Sequence, residues 1–257
     1  MSHTRIAIDG LLHTIFGGEA HILAAPLADW MIASPRFVAF VETYRDKIRK
    51  KIRGMRDAEG LRDLQLELET AYLLLQARPL TVAYEPYGTG KARGPDFAVT
   101  YTTSLTFNVE VTRMRISSRE RSKEWLGDPT DGATDASLEA QHEAARLADI
   151  VCGKLGQMVA GMINVLVVVA ESNAALELDV GGAMLRLRQR AERKDPSLFA
   201  RNGFQDASDF FTHYERLSGV LVRGASERAP RMRPILWENN RASHSIPARI
   251  RTILESH

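Results

Sequence analysis

The chain has 257 residues, 44 % of them apolar and 26 % charged, with a net charge of +2 and a single cysteine, Cys152. That length suits one large domain or one domain with a helical appendage, while a lone cysteine excludes a disulfide framework and argues against a thiolate zinc site. No apolar run approaches the roughly 18 residues of a membrane span, and the N-terminus lacks a basic stretch followed by an apolar one, so a soluble cytoplasmic protein with no membrane partner is expected.

Ser34-Pro35 reads as an N-cap with proline at the first helical position, and Phe37, Val41, Tyr44, Ile48 and Ile52 then recur at helical spacing. The same helix carries a basic stripe, expected on the side away from the apolar residues. Seven Lys or Arg residues lie between Arg45 and Arg56 against one acid, Asp46. A boundary is expected near residue 60, with a helical segment over 1–60 and an α/β domain over 61–257. A second helix runs from Leu61 to about Ala77, with Glu67 at the edge of its apolar stripe and Glu69 farther toward solvent.

After Pro79 the period changes from helix to strand. "LTVAYE" is a strand, 88–92 (GTGKA) is a glycine-bearing connection without the spacing of a phosphate loop, and 96–102 and 106–113 are two strands joined by a short turn. Residues 117–136 are polar and without period. A helix from about Ser137 to Val159, the apolar strand "NVLVVVA", helices over 174–193 and 205–215, strands at 217–223 and near Ile235, and a last helix opened by Pro247 complete the chain. The order gives a mixed central sheet sandwiched by helices, an α/β fold with an N-terminal helical extension.

Within the strand 106–112, alternation puts Asn108, Glu110 and Thr112 on one face and Phe107, Val109 and Val111 on the other. Asp96 opens the preceding strand, its expected antiparallel neighbour, so the carboxylates of Asp96 and Glu110 are brought together. Two such groups repel, and a divalent cation relieves the repulsion. Taken singly, Asp96 is also a common turn residue, and a polar strand face also meets water.

Pro95-Asp96, followed fourteen residues on by Glu110-Val111-Thr112, between a leading helix and a following helix and strand, resembles the PD-(D/E)XK nuclease superfamily with its restriction-endonuclease-like core. The resemblance covers roughly residues 61–170. It implies a metal-dependent nuclease acting on nucleic acid, DNA in the first instance, with Mg²⁺ or Mn²⁺ held by Asp96, Glu110, the Val111 carbonyl and Glu67 of the leading helix. Many nucleases of that fold act as dimers on two-fold substrates, which admits a homodimer here without fixing the oligomeric state. Thr112 stands where that family has lysine, and threonine supplies no positive charge. Lys154 projects among the apolar residues Leu147, Val151, Leu155 and Met158 of its helix, with Gln157 one turn on. If that helix covers the Glu110 face, Lys154 takes the missing lysine's place and Gln157 supports it; the alternative is that Lys154 reaches solvent. Lys47, Lys50, Lys51 and Arg53 of the basic stripe are the expected phosphate contacts, against the plainer reading of a solvated helix face. The rival to an enzyme is a catalytically silent binding or scaffold protein of the same fold.

Overall fold

A computed structural model describes residues 3–87, 94–115, 132–171, 178–225 and 233–256. Side-chain caps open two of the leading helices. Ser34 Oγ accepts from the Phe37 N–H at 3.3 Å ahead of α3 (Pro35–Gly54), and α1 (His3–Phe16) and α2 (Ala24–Ala33) precede it. Asp57 accepts from the Gly60 N–H at 2.6 Å and opens α4 (Ala58–Gln76). The strands follow as β1 (Leu80–Tyr84), β2 (Phe97–Tyr101) and β3 (Leu105–Met114). Then come α5 (Gly132–Lys154), a 3-10 turn at Leu155–Gln157 and β4 (Ile163–Ala170). The chain closes with α6 (Val180–Glu192), α7 (Pro196–Asn202), α8 (Ala207–Tyr214), β5 (Gly219–Gly224), β6 (Ile235–Glu238) and α9 (Ala248–Glu255).

The six strands form one mixed sheet in the order β1-β2-β3-β4-β5-β6. β3, β4 and β5 are parallel and β6 is antiparallel to β5. Two compact units result, Met1–Tyr84 with Ala98–Leu105, and Glu85–Phe97 with Thr106–His257. The composition places the first boundary near residue 60; in the structure α4 and β1 group with the N-terminal helices.

In the first unit the core is aromatic: Trp30 and Phe37 both pack on Tyr72, and Phe40 and Tyr44 pack on Tyr84. α4 is buried on every side between Leu64 and Ala71. Glu69 is therefore only 4 % exposed, not turned toward solvent as its helical angle suggests. The basic stripe is also divided. Lys47 donates to the Tyr84 carbonyl at 2.9 Å and Lys51 to Glu67 at 2.6 Å, each near the Tyr84 ring, whereas Lys50 and Arg53 are exposed. The helix has a second packing face, against Tyr84, that a single apolar stripe does not reveal.

In the second unit Leu166, Val168, Ala170, Val220 and Val222 share one sheet face with Met114, and Leu147, Val151, Leu155 and Met158 of α5 with Met184, Leu187 and Phe210 form one core with them. Continuous apolarity in β4 is what a strand covered on both faces needs. Gly219 is required for close approach: a Cβ there would lie 2.7 Å from both Ile246 Cδ1 and the Trp237 carbonyl oxygen. Cys152 sits in the same core, its thiol pushed up to about 12 by burial and by nearby Asp149, with Arg190 opposing.

Helix bounds differ from the spacing at several points, two of them large. α5 begins at Gly132 and ends at Lys154, short of Val159, and α7 appears where the spacing predicts no element. The 88–92 connection, most of the aperiodic 117–136 segment and residues 172–177 lie outside the described residues; the helix expected over 174–193 begins at Val180, capped by Asp179.

Candidate active site

β3 and β4 run in register with Asn108 beside Asn164, Glu110 beside Leu166 and Thr112 beside Val168. Since Leu166 and Val168 belong to the core under α5, Glu110 faces that helix. Its residue is only 1 % exposed, in a place where the neighbouring strand carries leucine. A bare carboxylate there is costly, and three groups meet it or its strand.

Lys154, the last residue of α5, brings Nζ to 2.7 Å from Glu110 Oε1 with its side chain 21 % exposed. A cation at a helix C-terminus also meets the negative end of the helix dipole. Gln157, in the 3-10 turn, sets its side-chain amide against the same carboxylate; with the amide assigned so that its nitrogen faces the acceptors, it donates to Oε1 at 2.5 Å and Oε2 at 3.0 Å. Asp96, also buried, accepts at Oδ2 from the Val111 N–H at 2.8 Å, so its carboxylate lies beside the residue after Glu110. Asp96, Glu110, Val111, Lys154 and Gln157 are thus assembled in one unit, with Thr112 one position farther along the Glu110 face.

Glu67 belongs to the other unit, where Lys51 at 2.6 Å and the Tyr84 hydroxyl, donating at 2.8 Å, take its Oε2. Lys47 and Lys51 are engaged there as described, leaving Lys50 and Arg53 as the outward members of the predicted phosphate contacts.

Two buried amides escape a reading of the sequence alone. Asn108 donates from Nδ2 to Asn164 Oδ1 at 3.1 Å, and the Tyr87 hydroxyl donates to Asn108 Oδ1 at 2.7 Å. Asn108 is visible as a polar neighbour of Glu110 on the strand face. Asn164 looks like the polar start of an apolar strand, and only the parallel register pairs it with Asn108.

The donor set is oxygen-only, which suits a hard cation. Among the described residues no group of three or more His, Cys, Asp and Glu is close enough to hold a metal. Mg²⁺ does not need one, since it is commonly held by one or two carboxylates together with waters and substrate phosphates. Asp96, Glu110 and the Val111 carbonyl fit that pattern. Comparison with models of known families, with curated proteins and with solved structures gave no match. The fold defines a mixed α/β protein whose six-stranded sheet is flanked by helices and preceded by a helical region. Among the described residues no helix is long and apolar enough to cross a membrane.

Proposed function

We propose that the chain is a metal-dependent nuclease with a restriction-endonuclease-like core, DNA being the first substrate to test. The observation that carries this reading is the Lys154–Glu110 contact at 2.7 Å. A buried ion pair is weak evidence for stability, because apolar residues of similar volume usually do as well or better. Retaining one opposite Leu166, with Asp96 beside the next residue and Gln157 on the same carboxylate, supports a chemical use. The order of elements from α4 through β4 supports it too: helix, three strands, helix, and a fourth strand parallel to the third.

In this reading Asp96, Glu110 and the Val111 carbonyl hold Mg²⁺ or Mn²⁺. When bound, the cation supplies activation of the attacking water and charge to offset what develops on the phosphate oxygens. Lys154 serves as the missing motif lysine, its ammonium either orienting that water or neutralising the scissile phosphate. Gln157 keeps the Glu110 carboxylate turned toward Lys154, and Thr112 lines the same face. Glu67, the further ligand that the resemblance implies, has Lys51 and the Tyr84 hydroxyl on its Oε2. The exposed Lys50 and Arg53 remain suited to phosphate contact.

A silent binding protein is the second reading, favoured by one feature: Lys154 and Gln157 meet the needs of Glu110 without a cation. The test is incubation with labelled single- and double-stranded DNA and RNA in Mg²⁺, Mn²⁺ or EDTA, with analysis of product ends. Metal-dependent cleavage leaving 5′-phosphates is expected. Folded protein that binds nucleic acid and cuts none of these substrates would favour the silent reading.

A further inference from the structure

α5 stops at Lys154, and a 3-10 turn replaces the helical turn that would otherwise have carried Gln157 around the axis. The Met158 N–H closes the turn on the Leu155 carbonyl at 3.1 Å, and one side chain ties down the residue that follows. Asn164 Oδ1 accepts from the Val159 N–H at 3.1 Å, and its Nδ2 donates to the Val159 carbonyl at 2.9 Å. The same Nδ2 faces the carbonyls of Met162 at 3.0 Å and Arg216 at 2.9 Å. Three carbonyls on one side and an N–H on the other fix which way the amide points. Val159 is thereby gripped at both backbone groups, two residues beyond Gln157.

The amide is itself anchored. Asn164 is 1 % exposed, its backbone N–H donates to Ser218 Oγ at 3.0 Å, and Asn108 Nδ2 donates to its Oδ1. Asn108 lies two residues before Glu110 on the same strand face and is held in turn by the Tyr87 hydroxyl. A continuous set of hydrogen bonds thus joins the strand that carries Glu110 to the turn that carries Gln157 and follows Lys154.

We propose that Asn164, backed by Asn108, is a positioning residue of the Glu110 site: by clamping Val159 it ends α5 at the point that sets Lys154 and Gln157 on the Glu110 carboxylate. The inference rests on the nuclease reading for its catalytic consequence, and on the geometry alone for its structural one. Neither amide touches the reacting groups.

The two levels separate in one experiment. The Lys154 ammonium is observed by ¹H–¹⁵N NMR in wild type, Asn164→Asp, Asn108→Ala and a core variant, Leu187→Val, as a control for general loss of stability. Asn164→Asp keeps the shape while replacing the donor with an oxygen that faces three carbonyls; Asn108→Ala is the milder change should that variant not fold. Wild type and the control are expected to show a solvent-protected ammonium that is lost in the amide variants. In the cleavage assay those variants should lose about 100-fold in kcat, the scale of a small misplacement of catalytic groups, with KM little changed. A protected Lys154 signal persisting in both amide variants would overturn the positioning role and leave the nuclease reading standing. Absence of cleavage by wild type would overturn the nuclease reading alone, because the NMR signal still decides the clamp. No protected ammonium in wild type would overturn the positioning role, with the cleavage assay still deciding the nuclease reading.

Discussion

Glu110 is the residue on which the proposed chemistry turns. Its carboxylate is buried against a core that offers leucine at the paired position, and Lys154 is its charged partner at 2.7 Å. Removing one member of such a pair leaves an uncompensated charge, at a cost of about 3 kcal/mol, while replacing both members by apolar residues is often neutral or better. Urea denaturation should therefore find Lys154→Met destabilised by about that amount and the Glu110→Leu/Lys154→Met double variant restored to wild-type stability or above. Equal stability of Lys154→Met and wild type would mean that the pair does not persist in solution. The same substitution leaves a carboxylate in want of a cation, so Lys154→Met should bind Mn²⁺ more tightly than wild type, as titration calorimetry would show.

At the level of elements, two joints are open to measurement. Arg36, at the start of α3, donates from Nη1 to the carbonyls of Leu75 at 2.6 Å and Ala77 at 2.9 Å and from Nη2 to that of Leu80. It collects the carbonyls left over where α4 ends and β1 begins. Arg36→Ala should cost about 2 kcal/mol by chemical denaturation, since hydrogen bonds from charged donors are the stronger ones. The second joint is Asp195, which caps α7. It accepts from the Ser197 N–H and hydroxyl and from Arg190 Nε, and Arg190 also reaches Asp149 of α5. Ser197 first and Arg190 second hold its carboxyl down at about 2, against an ordinary 3.8. A depressed acid stabilises the fold above its unfolded pKa and ceases to as the pH falls through the folded one. The difference in denaturation midpoint between wild type and Asp195→Asn should accordingly be constant above about pH 4, shrink toward pH 2 and vanish below it. A difference independent of pH would remove the ion pair from the account.

The legible elements are those with a local signal. Ser34-Pro35 announces α3, alternation announces β3, and unbroken apolarity announces β4. Lys154 stands out because an ammonium among Leu147, Val151, Leu155 and Met158 has no local explanation. Long-range causes are hidden. Asn164 ends α5 early, Tyr84 draws Lys47 and Lys51 inward, and burial of α4 on every side encloses Glu69; none of these partners is near in sequence. α7 escapes because seven residues are too few to show a period, although Asp195-Pro196 is itself a capping signal.

For the whole molecule the net charge of +2 gives no general attraction to nucleic acid, so the proposed binding would have to come from local patches. The division of the basic stripe makes this specific. Lys50→Glu with Arg53→Glu should weaken DNA binding and lower the slope of log K against log salt by about two, one for each phosphate that is no longer neutralised, with thermal stability unchanged. Lys47→Ala and Lys51→Ala should instead lower thermal stability, because those ammonium groups hold Tyr84 and Glu67. If the buried carboxylate and the relocated lysine perform phosphodiester hydrolysis together, the single-turnover cleavage rate across a Mg²⁺ titration shows it. Wild type should be active, while Glu110→Gln and Lys154→Ala, both folded, should each lose at least about 100-fold, the usual scale for removing one electrostatic group. Rates equal to wild type in both variants would contradict the account.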